Sequence, residues 1–338
     1  RHAQAFRGDP AGDAQAVQAY DASRTNFLAL VLCLMLGTVG LPHLLTRYYT
    51  VPSPAEARSS VAWSLFFIAL LYLSAPALAV LVKFEILHNL VGSSFEDLPG
   101  WIAQWARLDP GLIDVSDVNG DRVVQLGEIR LGADLVMLAT PELGGMPFVV
   151  SGLVAAGGLA AALSTADGLL LTISNALVHD MRAQPQQTPR AAEQRVILSK
   201  FALLAVAMLA AFVAALKPAE ILALVSTSFS LAASAFFPAM VCGLISARVD
   251  RRAAVAGMLV GPLVTLGYMV LNAPGFRHFW GLAADGGLWW GVQPISAGVF
   301  GVPAGFAAIA LGVLVSRVWP VPVARSAPPG ETFSGPGL

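Results

Sequence analysis

The sequence predicts an all-α membrane protein of about seven transmembrane helices, and three observations predict it. Of 338 residues, 56% are apolar and only 12% are charged, about half the charge of an ordinary soluble domain. Roughly seven apolar stretches are each long enough to cross a hydrocarbon core of about 30 Å, which takes about 20 residues. Lys and Arg gather in alternate connections between those stretches, as in a chain threading back and forth through a bilayer. The net charge of −1 and the lack of a basic stripe exclude nucleic acid as a partner. Cys33 and Cys242 both lie in apolar runs, where a thiol behaves as a small hydrophobe and no disulfide framework is expected.

In order, the stretches run over residues 27–45, 61–82, 146–177, 196–216, 221–245, 253–271 and 295–318. The third exceeds what a bilayer needs and is expected to tilt or project. Arg47 and Arg58 follow the first stretch, and Arg182, Arg190, Arg195 and Lys200 follow the third. Arg248, Arg251 and Arg252 follow the fifth, and Arg317 and Arg325 the seventh. These connections are assigned to the cytoplasmic side. The acidic segment 92–145, with Glu96, Asp97, Asp109, Asp114, Asp117, Asp121, Glu128, Asp134 and Glu142, then faces outward as an extracytoplasmic loop. So does the polar segment 1–25. Residues 26–318 form the helical bundle of a multi-pass protein in the cell (inner) membrane, and the Pro-, Ser- and Gly-rich residues 319–338 read as a disordered cytoplasmic tail. A polar N-terminal segment outside the membrane with no signal peptide is hard to translocate, so upstream helices are expected and the chain reads as a fragment.

The first helix contains Gly37-Thr38-Val39-Gly40-Leu41-Pro42-His43. Pro42 removes a backbone donor, and Gly37 and Gly40 lower the cost of leaving helical geometry. A break there would expose backbone groups able to hold an ion or carboxylate; a proline kink closed by neighbouring helices is the competing reading. In the third helix, Gly157, Ala161, Ser164, Thr165 and Gly168 recur at spacings of three and four. They form a small, hydroxylated stripe that another helix can approach. Ser164, Thr165 and the carbonyl of Ala161 are neutral oxygens of the kind a hard cation takes. Ser and Thr in such helices also simply bond back to the carbonyl one turn earlier. Asp167, an ionisable residue within a span, is a functional candidate unless the helix places it at the cytoplasmic interface.

The fifth helix carries Ser226, Thr227, Ser228, Ser230 and Ser234 before Phe236-Phe237-Pro238, either a hydrated face or interhelical glue. Gly257 with Gly261, and Gly301 with Gly305, match the small-residue helix contact pattern. In the outer segment, Asp117, Asn119, Asp121, the Val123 carbonyl, Gln125 and Glu128 stand at positions 1, 3, 5, 7, 9 and 12 of a calcium-loop spacing. Arg122 occupies position 6, where a Gly normally makes the sharp turn. An acidic solvated turn is the alternative, and bound calcium would rigidify the segment rather than catalyse.

Residues 152–181, with Ala161-Ala162-Leu163-Ser164-Thr165-Ala166-Asp167 and Ser174-Asn175-Ala176-Leu177-Val178-His179-Asp180, resemble the signature helix of the sodium:solute symporter family. Residues 37–49 are similar to the matching helix of its acetate permease-like branch, and Ala235-Phe236-Phe237-Pro238-Ala239 fits a later helix. The resemblance implies a LeuT-type inverted-repeat transporter fold of which the first repeat is absent here. It implies a sodium site on Ala161, Ser164 and Thr165 completed by a helix this chain does not contain, with solute held near Gly37, Gly40 and Pro42. Symport of a small organic solute, a short monocarboxylate such as acetate, with Na+ as coupling ion, is the function it implies. A small membrane subunit is an implied partner beside the solute and the lipid bilayer. A membrane sensor or receptor built on the same fold is the alternative. An enzyme is not expected, because no Walker A, Gly-x-Ser-x-Gly or His-Glu-x-x-His motif is present.

Overall fold

The computed structural model describes residues 14–44, 51–109, 111–132, 135–180, 189–217, 219–246, 249–281 and 288–318. Arg47, Asp134, Arg182, Arg248, Arg325 and the expected tail at 319–338 lie outside the described residues. Seven helices are long and apolar enough to cross a membrane: Tyr20–Gly40, Pro54–Leu90, Phe148–Val178, Glu193–Ala215, Ile221–Ile245, Arg251–Leu271 and Pro294–Val318. The protein is therefore an all-α, multi-pass membrane protein, as its composition predicts. The chain falls into two compact units, Arg1–Leu41 with Leu222–Leu338, and Pro42–Ile221.

The first unit opens with α1 (Ala14–Gly40). Its N-terminal half occupies part of what reads as a polar segment in the sequence. There Arg24 pairs with Asp21 at 3.0 Å, and a helix already fixed by its apolar half extends at little further cost because each added residue adds one hydrogen bond.

The second unit contains α2 (Pro54–Glu85), α3 (Gly100–Leu108), α4 (Val136–Leu143), α5 (Phe148–Asn175) and α6 (Pro189–Ala215). Ser53 caps α2, accepting from Glu56 N at 3.3 Å, with Pro54 at the first helical position, where its missing N–H costs nothing. Both α2 and α5 end in a π-helical turn, Ile86–Leu90 and Ala176–Asp180.

The chain then returns to the first unit with α7 (Ile221–Ile245), α8 (Arg251–Leu271), α9 (Pro274–Phe279) and α10 (Gly298–Val318). Asp250 caps α8, its carboxylate accepting from Ala253 N at 2.9 Å and from Ser316 Oγ at 2.8 Å. Those bonds hold the Asp250 carboxyl below its usual range, the backbone bond to Ala253 being the larger cause.

The closest packing in the first unit runs between α8 and α10. A methyl group added at Gly261 would collide with the Ser234 carbonyl oxygen of α7, and one at Gly301 with Thr265 of α8. Gly257 faces Ile309 in the same way, and Gly305 faces Pro238. The small-residue pairs legible in the sequence are thus helix contacts. Ser226, Ser230 and Ser234 of α7, four residues apart, are fully buried. Ser230 donates across to the Ile295 carbonyl at 2.7 Å, while Ser226 and Ser234 bond within their own helix. This stripe is packing, which resolves the choice the sequence left open for those three. The connection before α10 is strapped down at its backbone. Asn26 donates to Gly291 O at 2.8 Å and accepts from Gln293 N at 2.6 Å. Tyr268 donates to Val292 O at 2.6 Å and accepts from Trp289 N at 3.1 Å.

The acidic segment is folded rather than an open loop. Strands β1 (Ile113–Val115) and β2 (Ile129–Leu131) pair antiparallel, Asp114 opposite Arg130. Ile102, Ile113, Leu135 and Ala139 bury a small core with Leu90 from the end of α2. Trp105 adds a bond from Nε1 to Glu142 Oε2 at 2.8 Å. Lys217, just after α6, pairs with Asp109, so the connection beyond α6 lies at the same end of the helices as this segment. The Lys217 ammonium bond is the main reason the Asp109 carboxyl is held below its usual range.

Candidate ion and solute site

α1 ends at Gly40, Leu41 is non-helical, and helix resumes over 42–44, an interruption ahead of Pro42 common to the broken-helix and proline-kink readings. Its cause is local, because a proline after Leu41 disfavours helical geometry there and supplies no donor. Gly37 and Gly40 serve close approach. A Cβ at Gly37 would sit 2.5 Å from the Phe229 carbonyl oxygen of α7, and one at Gly40 3.2 Å from that of Ala232. Residues 45–49 of the matching motif lie outside the described residues.

Leu163 is the middle residue of the 31-residue span Phe148–Val178. At 1.5 Å per residue, Ala161, Ser164 and Thr165 lie within about 3 Å of its centre along the axis. Asp167 is about 6 Å from the centre of this helix and about 16 Å from its Val178 end along the axis. Ala161, Ser164, Thr165 and Asp167 are all exposed. Thr165 Oγ1 donates to the Ala161 carbonyl at 3.1 Å, so two of the three oxygens meet through the one-turn back-bond expected of a membrane-helix threonine. Among the described residues, the small-residue face expected to receive a helix is open at Gly157 and Gly158: a Cβ at Gly157 would meet nothing within 4 Å, and one at Gly158 only Leu138 of α4, at 3.8 Å.

In the acidic segment the turn from Asp117 to Glu128 closes on itself. Asp117 accepts from Gly120 N at 2.7 Å and from Arg122 N at 3.1 Å. Asp121 accepts from Val123 N at 2.8 Å, Asn119 Nδ2 at 2.9 Å and Gln125 Nε2 at 2.8 Å. The backbone bond to Val123 is the largest cause holding its carboxyl below the usual range. Glu128, only 5% exposed, accepts from Val118 N at 2.9 Å and Gln125 N at 3.0 Å. Arg122 takes the left-handed turn itself, with φ 59°, and its guanidinium lies 4.0 Å from Glu96. The tight turn is made despite the missing glycine. Among the described residues, no three His, Cys, Asp or Glu side chains converge as a ready-made metal centre. The carboxylates of Asp117, Asp121 and Glu128 are instead satisfied by N–H donors.

In the sequence, Arg195 and Lys200 report only orientation, and nothing there connects them with Ser174. The structure brings these residues together between α5 and α6, where Ser174 Oγ donates to the Ser199 carbonyl at 2.9 Å. Two serines near the same end of successive spans were the available signal.

The sequence model of the sodium:solute symporter family matches residues 136–261, a stretch containing all of α5, α6 and α7. An uncharacterized symporter of Cupriavidus necator is 52% identical over 299 residues, covering 88% of this chain and 44% of that protein. A monocarboxylic acid transporter of Corynebacterium glutamicum is 28% identical over 299 residues, covering 87% of this chain and 47% of that protein. An uncharacterized symporter of Bacillus subtilis is 28% identical over 294 residues, covering 86% and 49%. The chain thus spans about half the length of the curated relatives it matches. No solved structure matches it. With seven apolar spans and the matched α5-to-α7 region, the chain is similar to the sodium:solute symporter family over residues 136–261.

Proposed function

We infer that this chain serves secondary active symport in the cell (inner) membrane, with sodium influx driving uptake of a small organic solute, a short-chain monocarboxylate such as acetate. The observation that carries the reading is the set of three neutral oxygens, on Ala161, Ser164 and Thr165, at the centre of a 31-residue span. The family match supports sodium as the coupling ion, and the name of the Corynebacterium relative supports a monocarboxylate.

Sodium is a hard cation that prefers such oxygens. Its binding would draw the Thr165 hydroxyl away from the Ala161 carbonyl, exchanging a hydrogen bond worth about 0.5–1.5 kcal/mol net for ion–oxygen contacts. Further ligands would come from protein segments packed on the exposed face of α5. The solute is assigned to the Leu41 break beside Gly37, Gly40 and Pro42, where the end of a helix leaves backbone carbonyls without intrahelical donors. Rocking between outward- and inward-facing states then couples the two. A small membrane subunit fits the exposed apolar faces of α2, α5 and α6.

In the full-length protein, Ser164→Ala and Thr165→Ala should each raise the sodium concentration for half-maximal uptake about tenfold, the effect of losing roughly 1.4 kcal/mol. Thr165→Ser, which keeps the hydroxyl, should stay near wild type. Proteoliposome uptake of labelled acetate with and without a sodium gradient makes the measurement. Unchanged sodium dependence in both alanine variants refutes the site, and uptake indifferent to the gradient refutes the coupling.

Calcium at the Asp117–Glu128 turn enters the reading only as an ordering ligand. The ion would replace the amide donors of Asn119 and Gln125 on Asp121, and the carboxylates would have to draw together around it.

A further inference from the structure

We propose that the groove between α5 and α6 binds the headgroup and upper acyl chain of an anionic phospholipid from the cytoplasmic leaflet. The groove has a volume of about 350 Å³. Leu171, Val178, Val196 and Leu203 form its apolar walls, and Arg195 and Lys200 bring two positive charges to it. Glu193, the acid at this end of α6, does not line it.

The sequence builds the groove in three ways. Ser174 and Ser199 are small, and the bond from Ser174 Oγ to the Ser199 carbonyl seats the two helices against each other on its floor. After Asn175 the α-helix gives way to the π-helical turn Ala176–Asp180, which turns Val178 inward, where it is 4% exposed. A wider turn re-aims the side chains beyond it. Arg195 and Lys200 then stand on the facing helix.

Position and charge select the occupant. Val178 is the last residue of one span, and Glu193 the first of the next, so the groove opens where both helices meet the same membrane surface. The positive-inside pattern assigns that surface to the cytoplasm. Lys200 lies seven residues into its span, about 10 Å along the axis. Its aliphatic stem can line the groove while its ammonium rises to headgroup level. Apolar walls under a pair of cations at the cytoplasmic face match acyl carbons below a phosphate, the chemistry by which basic pockets between membrane helices take anionic headgroups. A neutral headgroup gains nothing from the second charge, and a free anion gains nothing from the walls.

The test uses the full-length protein in detergent and native mass spectrometry, with phosphatidylglycerol and phosphatidylcholine of identical acyl chains in competition. A basic group near an anionic headgroup favours it about fivefold, so two favour it about 25-fold. Wild type should retain phosphatidylglycerol over phosphatidylcholine by about that factor. Arg195→Gln with Lys200→Gln should bring the ratio close to one, each single variant should leave about fivefold, and Arg317→Gln at the far end of α10 should leave the ratio unchanged. A preference that survives the double substitution overturns the proposal, as does an equal loss from Arg317→Gln. So does saturable occupancy by inorganic phosphate or acetate that excludes the lipid, since it would mark a site for a free anion. The readout is binding, so its outcome is separable from whether the protein transports a monocarboxylate.

Discussion

Gly261→Ala adds a single methyl group at the tightest helix crossing in the first unit, and its cost comes from the local geometry. The new carbon would collide with the Ser234 carbonyl oxygen and lie 3.2 Å from that of Gly301, so relief requires α8 to move away from both α7 and α10. Overpacking of this kind costs about 1–3 kcal/mol. The gain in helix propensity from glycine to alanine offsets about 0.5–1 kcal/mol, leaving a net loss centred on about 1 kcal/mol and reaching about 2.5 kcal/mol. Gly267 supplies an internal control on the same helix, because a Cβ there meets nothing within 4 Å. Gly267→Ala should keep the propensity term alone and stabilise by about 0.5–1 kcal/mol. Thermal unfolding of the full-length protein in one detergent, read by the exposure of buried Cys33 to a thiol-reactive dye, compares the two. A lowered midpoint for Gly261→Ala with an unchanged or raised one for Gly267→Ala is expected. Equal shifts of the same sign would refute the claim that backbone proximity at Gly261, rather than glycine content, holds α8 in place.

Two further outcomes concern the acidic segment. The Asp109 carboxyl has its pKa lowered from 3.8, chiefly by Lys217. A depressed folded-state value contributes stability that is present above the unfolded value and is lost as pH falls through the folded one. Protease resistance of the connection after α6 should therefore hold at neutral pH and weaken below about pH 4, and Lys217→Gln should reduce it at neutral pH and flatten that acid dependence. Resistance indifferent to both changes would remove the pair from the account. At Arg122, whose φ of 59° burdens a side chain by about 1 kcal/mol or more, Arg122→Gly should leave the turn intact and raise the unfolding midpoint of the segment. A calcium titration of this variant by isothermal calorimetry reads directly whether Asp117–Glu128 takes the ion.

The membrane spans were legible because hydropathy over about 20 residues is a summed signal that no single residue can mask. The packing of α8 on α10 was legible too, since Gly257, Gly261, Gly301 and Gly305 repeat at the spacing that brings one helix face together. The fold of the acidic segment was not. Its core joins Leu90, Ile102, Ile113, Leu135 and Ala139 across dozens of residues, through helices of eight and nine residues and strands of three, each too short to show a period. The polar start of α1 was hidden for a different reason, as residues 14–26 have no apolar run of their own and inherit helix from the apolar half downstream. At the candidate site, the bond from Thr165 to Ala161 arises from four-residue spacing and was readable as one of two options. Whether Ser226, Ser230 and Ser234 faced water or protein depended on the chain about 65 residues away, which no local pattern reports.

The strap before α10 has a consequence for how this protein can change over time. Asn26 and Tyr268 grip the carbonyls of Gly291 and Val292 and the amides of Trp289 and Gln293, groups that nearly every amino acid supplies. The identities of Val292 and Gln293 are therefore free to drift as far as these four bonds are concerned. The number of residues between them is not: inserting or deleting one would shift every carbonyl and amide past its partner at once. Along this connection selection should act on length more than on letters, with Asn26 and Tyr268 as its two fixed points.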